Sequence, residues 1–220
     1  GDSPYQSFSS FAGNHYLIDL DMLVEEQLLL QEEVDAVNWY RDETHVDFGC
    51  LFESRCKLLH LAYERFSEND EYRRFLDENA DWLEDYGLFM SLKEKNHGRP
   101  WYEWSISLMK RLPGILCCTR QEMHDSVQFH YFLQYQFFRQ WRALRSYANQ
   151  RGVKIIGDVP IYVPLDSVDV WSAPELFQLD ANCHPTAVAG CPPDSFTSDG
   201  QLWGNPLYNW DKMKENGFAW

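Results

Sequence analysis

The sequence predicts an α/β fold, part of a TIM (β/α)8 barrel that carries a large helical insertion subdomain. The first observation is the order of segments after residue 125, where a long amphipathic helical pattern is followed by Gly152 and a short apolar run, 153–156. A helix, a glycine and an apolar strand in this order form the repeating unit of an α/β barrel. The second observation is the helical pattern of residues 22–112, which is too long for one barrel crossover and therefore indicates an insertion.

Capping residues mark the first two helices of the insertion. Asp19 or Asp21 is placed to cap a helix that runs to about Gln31, because aspartate oxygens accept hydrogen bonds from the free N–H groups of a first turn. Asp47 is placed to cap a second helix, in which apolar residues recur at three- and four-residue steps over 48–66.

Three further helices are expected in the insertion. One begins at about Asp70 and is expected to break at Gly87, since glycine is unfavourable inside a helix. A short helix covers residues 88–95, and another covers 107–112 and is expected to stop at Pro113, whose ring disfavours a helical residue before it.

The clearest helix begins at Asp125, which forms a capping-box pattern with Gln128, and it runs to about Gln150. Gly152 is expected in the left-handed conformation that ends many helices. Residues 153–163 are then predicted to form a strand, because their apolar run is typical of a buried parallel strand.

Composition narrows the classes of partner. The formal net charge of −15, with no cluster of Lys or Arg, argues against a nucleic-acid partner. No run of about 18 apolar residues occurs, so no membrane partner is expected. The six cysteines form no C-x-x-C pair and no histidine lies at zinc-finger spacing, so we predict no metal and expect reduced, mostly buried thiols in a cytoplasmic protein. No phosphate-binding glycine loop occurs, and no cofactor is predicted.

The segment 190–208 points most directly to function. It is too rich in Gly, Pro and polar residues to be a helix or a strand, yet it combines aromatic rings with planar polar groups. An aromatic face packs on the C–H face of a sugar ring, whose hydroxyls need polar partners. From the residues alone, a rigid loop that packs its own rings onto the core is an equal alternative. The rings are Phe196, Trp203 and Tyr208, and the polar residues are Asp194, Gln201 and Asn205.

Three sequence blocks are long, specific and joined by spacers of suitable length. They are residues 2–14 (DSPYQSFSSFAGN), residues 156–163 (IGDVPIYV), and residues 190–194 (GCPPD) with 200–208 (GQLWGNPLY). Together they resemble the 4-α-glucanotransferases, also called amylomaltases or disproportionating enzymes, of glycoside hydrolase family 77.

The resemblance implies a division of the chain into three parts. Residues 1–21 correspond to the barrel loop after the first strand, and residues 22–124 to a mainly helical insertion subdomain. Residues 125–220 correspond to a barrel helix, the third strand and a substrate-cleft loop.

The resemblance also implies a set of substrate-binding residues. Tyr5 matches the tyrosine whose ring supports the sugar at the cleavage point, and Asp158 matches an aspartate beneath that sugar. Gln201 and Trp203 match residues that contact the glucan, and the remaining two lie in a flexible lip over the cleft. From the residues alone, Asp158 could instead be a structural aspartate bonded to local backbone N–H groups. The full set is Tyr5, Asp158, Asp194, Phe196, Gln201 and Trp203.

No catalytic residue is assigned within the chain. A retaining mechanism needs a nucleophile and an acid/base whose carboxyl groups lie about 5–5.5 Å apart, and the resemblance places both beyond Trp220. Glu103 stands between aromatic residues and is a candidate acid, but we interpret it as a helix-start residue of the insertion. We therefore expect the chain by itself to be inactive.

The function implied by the resemblance is transfer of an α-1,4-glucan segment to an acceptor glucan or glucose, through a covalent glycosyl–enzyme intermediate. The expected partners are α-1,4-glucans, such as maltodextrins or fragments of starch or glycogen, with glucose as an acceptor. Two alternatives stay open: a non-catalytic glucan-binding fragment, and an α-glucan hydrolase of a neighbouring family.

Overall fold

Helices make up most of the structure, a computed structural model that describes residues 6–39, 44, 46–158 and 161–219. The helices are α1 (Leu20–Glu25), α2 (Gln31–Asp35), α3 (Phe48–Cys50), α4 (Cys56–Arg65), α5 (Asp70–Glu78), α6 (Ala80–Lys95), α7 (Ile106–Met109), α8 (Pro113–Glu122), α9 (His124–Gln150), α10 (Val168–Ser172) and α11 (Trp210–Glu215). The strands are β1 (Val188–Cys191) and β2 (Gln201–Pro206), and a π-helical turn, Leu51–Arg55, joins α3 to α4. Of the described helices, none is long and apolar enough to cross a membrane.

The chain forms two compact units, each assembled from segments that are distant in sequence. The helical unit comprises residues 12–87 and 124–157. The hairpin unit comprises residues 1–11, 88–123 and 158–220.

The core of the helical unit lies where α4 packs on α9. Leu59 of α4 and Phe132 of α9 are fully buried there. Their burial follows from apolar residues at three- and four-residue steps, which gather on one face of each helix. Further rings surround Tyr135 of α9, with the ring centroids of Phe66 and Tyr72 at 5.8 and 5.2 Å from its own.

Two buried glutamines of α9 fix the segment 13–19. Gln134 accepts the N–H of Gly13 at 2.8 Å and donates to its carbonyl at 3.0 Å. Gln140 makes the same pair of bonds with Asp19, at 2.7 and 3.0 Å. Each amide thus replaces both backbone partners that a strand would supply, and the buried polar groups stay satisfied.

The predicted helix caps are confirmed at three positions. Asp19 accepts hydrogen bonds from two N–H groups of the first turn of α1, at 2.9 and 3.3 Å. Asp47 accepts one from Cys50 at 2.9 Å. Gly152 has φ of +76°, and the N–H that follows it donates to the carbonyl of Ala148 at 3.0 Å, which is a Schellman ending for α9.

The expected break at Gly87 is wrong, because α6 runs through this residue. A Cβ atom on Gly87 would lie 2.5 Å from the ring of Tyr131. The glycine therefore permits a close approach of two helices and does not serve as a turn. The actual break comes earlier, between α5 and α6, so the expected short helix over 88–95 is the second half of α6.

Two other expected helix ends are also wrong. The helix capped by Asp19 ends at Glu25, since Gln27 has a left-handed backbone with φ of +62°, and Gln31 begins α2 instead. The helix expected over 107–112 ends at Met109 and not at Pro113, since Arg111 has a left-handed backbone with φ of +52°, and Pro113 begins α8. At the first position of a helix the missing N–H has no intrahelical acceptor to lose.

The strand expected over residues 153–163 is wrong for the part that the structure describes. Residues 153–158 form no backbone ladder, and Ile156 leaves 94% of its surface exposed. A parallel strand is held by hydrogen bonds to neighbouring strands. The sheet of the described residues contains only β1 and β2, which pair with each other in antiparallel orientation. The barrel therefore stays a prediction.

The core of the hairpin unit is built largely from tryptophan. Phe89, Trp104 and Trp171 contact one another with ring centroids 5.4–5.7 Å apart. The indole N–H groups of Trp101 and Trp171 donate to backbone carbonyls at 2.7 and 3.0 Å. These bonds satisfy the polar atom of each buried ring, as large buried indoles require.

The cysteines are free thiols, as predicted, but they are not mostly buried. Cys183 is buried, whereas Cys117 and Cys118 are exposed. The expectation failed because α8 presents both of these neighbours to solvent.

Candidate functional site

The expectation that the cleft segment contains no strand is wrong, because residues 190–191 and 201–206 belong to a β-hairpin whose geometry depends on two glycines. Cys191 pairs with Gln201 at the end of the ladder next to the turn, so residues 192–200 form the connecting loop. A Cβ on Gly190 would lie 2.4 Å from the carbonyl oxygen of Gln201. Gly200 has φ of +72°, and a Cβ there would lie 2.5 Å from the carbonyl oxygen of Cys191. Both close approaches explain why the segment needs glycine at these positions.

Asp194 organises the loop at the tip of the hairpin. Its Oδ1 atom accepts the N–H groups of Phe196 and Thr197 at 2.8 and 2.9 Å, and its own N–H donates to the carbonyl of Thr197 at 3.0 Å. The bonds from Thr197 and then Phe196 lower the pKa of Asp194, because they favour the charged carboxylate. The resulting turn leaves 90% of the Phe196 surface exposed.

Four aromatic residues beside the hairpin form a surface that we call the aromatic ledge: Tyr162, Trp203, Tyr208 and Trp210. The ring of Tyr162 lies 6.3 Å from Trp203 and stacks on Tyr208 at 5.7 Å, and Trp210 lies 5.3 Å from Tyr208. Tyr208 is buried, and burial raises its pKa to about 12. Trp203 and Trp210 stay 46% and 60% exposed, so the ledge offers apolar rings to solvent on a packed base.

The polar group of the ledge is Gln201. Its Oε1 atom accepts the indole N–H of Trp203 at 2.8 Å. The two side chains share one face of β2 because residues two apart in a strand point the same way. Leu202 between them is directed to the other face and is 80% exposed. The amide and the indole therefore form one hydrogen-bonded pair at the ledge.

The structure brings only part of the predicted set together. The predicted residues on one hairpin are Asp194, Phe196, Gln201 and Trp203. Asp158 is exposed, and its convergence with Trp203 stays a prediction. Tyr5 lies outside the described residues.

Sequence reasoning missed Tyr162 and Trp210 as members of the ledge. Tyr162 belongs to the second sequence block, and Trp210 follows the third by two residues. Their membership depends on contacts between distant segments, so the only available signal was that each adjoins a block already singled out.

Sequence reasoning also missed Asp169, which is 3% exposed in the first turn of α10. Its Oδ2 atom accepts the N–H of Ser10 at 3.0 Å. Burial raises the pKa of Asp169 to about 6 against the opposing effect of this hydrogen bond. The Asp169 carboxylate also contributes, after burial, to the raised pKa of Tyr208. A single charge within Val168–Trp171 was the signal that could have identified it.

The surroundings of Glu103, the candidate acid, and the grouping of possible metal ligands bear on two other kinds of site. Glu103 is exposed at the end of the 3-10 turn Trp101–Glu103, so the neighbouring rings do not enclose its carboxylate. Within the described ranges, no group of three His, Cys, Asp or Glu side chains is placed to hold a metal ion.

Comparison with known sequences places the chain in a family. The sequence profile of the 4-alpha-glucanotransferase family matches residues 1–220. The chain is 43% identical over 223 residues to a 4-alpha-glucanotransferase of Clostridium butyricum, and 44% identical over 225 residues to one of Thermus thermophilus. These alignments cover 100% of this chain but 46% and 44% of the two relatives, so the chain spans less than half of their length.

Solved structures agree with the sequence comparison. The amylomaltase of Streptococcus agalactiae, solved in complex with acarbose, is 42% identical and superposes with a TM-score of 0.94, over 100% of this chain and 45% of that one. The amylomaltase of Corynebacterium glutamicum is 17% identical and has a similar fold, with a TM-score of 0.73 over 99% of this chain and 30% of that one. The chain therefore belongs to the 4-alpha-glucanotransferase family.

Proposed function

We propose that the protein transfers segments of α-1,4-glucans to acceptor glucans or to glucose, and that the aromatic ledge binds the glucan. The observation that carries the proposal is the half-exposed indole of Trp203, hydrogen-bonded to the Gln201 amide. Membership of the 4-alpha-glucanotransferase family supports the reaction class. The acarbose in the Streptococcus agalactiae structure supports a sugar-like ligand.

The ledge has the chemistry that an α-glucan needs. A sugar ring stacked on Trp203 removes apolar surface from water on both partners, at roughly 25 cal/mol for each Å². Tyr162 contacts the indole from within the protein, so little side-chain freedom is lost on binding. While the Gln201 carbonyl oxygen accepts from the indole, its amide N–H groups can donate to sugar hydroxyls.

The loop 192–200 is proposed as a lip over the bound sugar. Asp194 uses its carboxylate to shape the loop, so we assign it the role of holding Phe196 in position. Tyr5 and Asp158 are proposed to complete the cleft, in a barrel to which this chain contributes a part. We assign neither carboxylate of a retaining mechanism to a residue of this chain.

The test compares two variants of the protein expressed from its complete gene. Trp203→Ala is expected to lower kcat/KM for maltotriose. The factor should correspond to a loss of roughly 1–3 kcal/mol of transition-state stabilisation, the range for loss of an aromatic anchor. Leu202→Ala is the matched control, because its side chain lies on the same strand, is exposed, and faces away from the ledge. Unchanged kinetics in Trp203→Ala, or an equal loss in Leu202→Ala, would contradict the ledge as the glucan site.

Product analysis separates transfer from the two alternatives. Incubation of the complete gene product with maltotriose is expected to give glucose together with longer maltodextrins. Glucose and maltose without longer products would indicate a hydrolase. Residues 1–220 alone are expected to form no product, and retention on a maltodextrin column would then identify a binding segment.

A further inference from the structure

A buried carboxylate adjoins both the first sequence block and the aromatic ledge. Asp169 is 3% exposed, and its pKa is raised because burial penalises the charged form. A raised carboxylate pKa means that the charge destabilises the folded state at neutral pH. The same carboxylate accepts a backbone hydrogen bond, so its position is explained by what the side chain holds and not by its charge.

On one side, Asp169 holds the segment 7–11. Its Oδ2 atom accepts the Ser10 N–H at 3.0 Å, while the N–H of the preceding residue, Val168, donates to the carbonyl of Phe8 at 2.8 Å. Two bonds from adjacent residues of α10 thus fix two residues of the segment. The N–H of Phe11 donates to Ser9 Oγ at 3.1 Å, which gives the same segment internal order.

The ring of Phe8 anchors the same segment in the core of the hairpin unit. Its centroid lies 6.2 Å from that of Phe89, and the ammonium group of Lys93 lies 5.1 Å from the Phe8 ring centroid. Lys93 is itself fixed by an ion pair with Asp166 at 2.6 Å. The Phe8 end of the segment is therefore fixed, and the Ser10 hydrogen bond fixes the position of the residues that follow.

On the other side, Asp169 acts on the ledge. Its negative charge adds to burial in raising the pKa of Tyr208, so the carboxylate and the phenol are electrostatic neighbours. Tyr208 in turn stacks on Tyr162, which contacts Trp203. Asp169 is thus linked to Ser10 by a hydrogen bond and to Tyr208 by its charge. Phe177, which follows α10 along the chain, lies 5.5 Å from Tyr208 and connects the same element to the ledge by ring contact, within the hairpin unit.

We propose that Asp169 is a positioning residue, which holds the segment 7–11 of the first block in register with the aromatic ledge so that both can contact one glucan. This inference rests on the proposed function. Asp169 accepts a backbone hydrogen bond and acts electrostatically on Tyr208, and it is not assigned a chemical step. Its effect is expected on the binding of glucan more than on the reaction of bound glucan.

The test uses two substitutions of similar size in the complete gene product. Asp169→Leu fills the site but cannot accept the Ser10 N–H. Asp169→Asn keeps an oxygen that can accept it and removes the charge. For Asp169→Leu we expect a rise in KM for maltotriose of about tenfold with a smaller change in kcat, as expected when a binding surface loses its alignment. For Asp169→Asn the KM for maltotriose should stay within about twofold of the wild-type value.

Hydrogen exchange gives a readout that does not depend on activity. In a peptide covering residues 6–11, exchange is expected to be about tenfold faster in Asp169→Leu than in the wild type or Asp169→Asn, because the Ser10 amide loses its acceptor. If Asp169→Leu does not fold, Asp169→Ala replaces it in both measurements.

The outcomes separate the two proposals. Equal exchange in all variants, or an unchanged KM in Asp169→Leu beside an active wild type, overturns the role of Asp169. A fall in thermal stability of Asp169→Leu that matches its loss of activity also overturns it, since the residue would then be structural. A wild-type protein that cannot use maltotriose overturns the proposed function, and with it the role of Asp169 toward glucan, even where exchange changes as expected.

Discussion

In the helical unit, Tyr72 and Phe132 are buried among other rings, whereas in the hairpin unit Trp203 and Trp210 leave about half of their surface in water. Both groups have ring neighbours at 5.0–6.3 Å, so ring contact by itself does not distinguish a core from a binding surface. The difference lies in what surrounds the rest of each ring. In the helical unit other apolar groups enclose Tyr72 and Phe132, whereas on the ledge part of Trp203 and Trp210 faces solvent.

The comparison explains why aromatic content could not locate the site. The chain is 16% aromatic, and many of the rings that the structure describes, in both units, are buried in a core. A ring on the ledge differs by lying on or beside an exposed strand, next to a side-chain amide, at a position where the backbone is fixed by glycine. These conditions belong to the hairpin as a unit and not to any single residue.

The largest expected effect tests whether the two groups of rings are energetically distinct. Phe132→Ala should lower the free energy of unfolding by about 3–5 kcal/mol, because a fully buried ring leaves a cavity. Trp203→Ala should lower it by about 1 kcal/mol or less, since the site is half-exposed. Urea unfolding of both variants measures the difference. Similar losses in the two would show that the ledge is part of the core.

The next effect is the pH dependence of the free energy of unfolding that comes from the buried carboxylate of Asp169. The pKa of Asp169 rises from 3.8 to about 6 on folding, so the folded state binds more protons than the unfolded state between these values. The contribution of Asp169 therefore becomes less favourable as pH rises through this window, by on the order of 3 kcal/mol in total. Above pH 6 the full penalty is present.

Asp169→Asn removes that dependence. Relative to the wild type, its free energy of unfolding should rise between pH 4 and pH 7 by up to about 3 kcal/mol, measured by urea unfolding at several pH values. Because other titrating groups are common to both proteins, only the difference between them is interpreted. A difference that stays constant with pH would contradict the raised pKa.

A smaller effect tests the packing of the helical unit at Gly87. Gly87→Ala should lower the free energy of unfolding by about 1–3 kcal/mol, because the new methyl group overlaps the ring of Tyr131. Gly114→Ala is the matched control, since a Cβ on this helical glycine meets nothing within 4 Å. The control should gain up to about 1 kcal/mol from helix propensity. A gain in both variants would show that the helices can move apart without cost.

These positions also show how far the sequence could predict the fold. The caps at Asp19, Asp47 and Gly152 were predictable because a cap is set by a few neighbouring residues. The role of Gly87 was not, because its reason is a ring on another helix. The expected strand at 153–158 fails for a similar reason, since a strand exists only where another strand pairs with it.

In the candidate site, too, residues within one sequence block could be identified from sequence, and residues that depend on contacts between distant segments could not. Gln201 and Trp203 were chosen because their sequence block resembles that of a known family, and the structure places them in one hydrogen-bonded pair on one strand. Their contact with glucan stays a prediction. Asp169 was not, because its sequence neighbours do not reveal that it is buried against Ser10. The ledge required Tyr162 to meet Trp203, a contact between two blocks that no local pattern encodes.

The smallest expected effect concerns the surface of the helical unit. Glu33 and Arg65 form two hydrogen bonds of 2.6 Å, and the bond from Arg65 is the main reason that the pKa of Glu33 is lowered from 4.5 to about 2. A lowered carboxylate pKa adds stability above pH 4.5, which is lost as pH falls towards 2. Both groups are in contact with solvent, so the interaction is screened by salt.

Glu33→Gln should therefore reduce the melting temperature slightly at pH 7 and low ionic strength, and the reduction should shrink in 1 M NaCl, where the screening length is about 3 Å. It should also shrink at pH 2–3, where the wild-type carboxylate is losing its charge. Arg65→Gln is the reciprocal variant and should follow the same salt dependence. A reduction that persists unchanged in high salt would contradict the ion pair as its source, since the glutamine oxygen can still accept the Leu30 N–H at the start of α2.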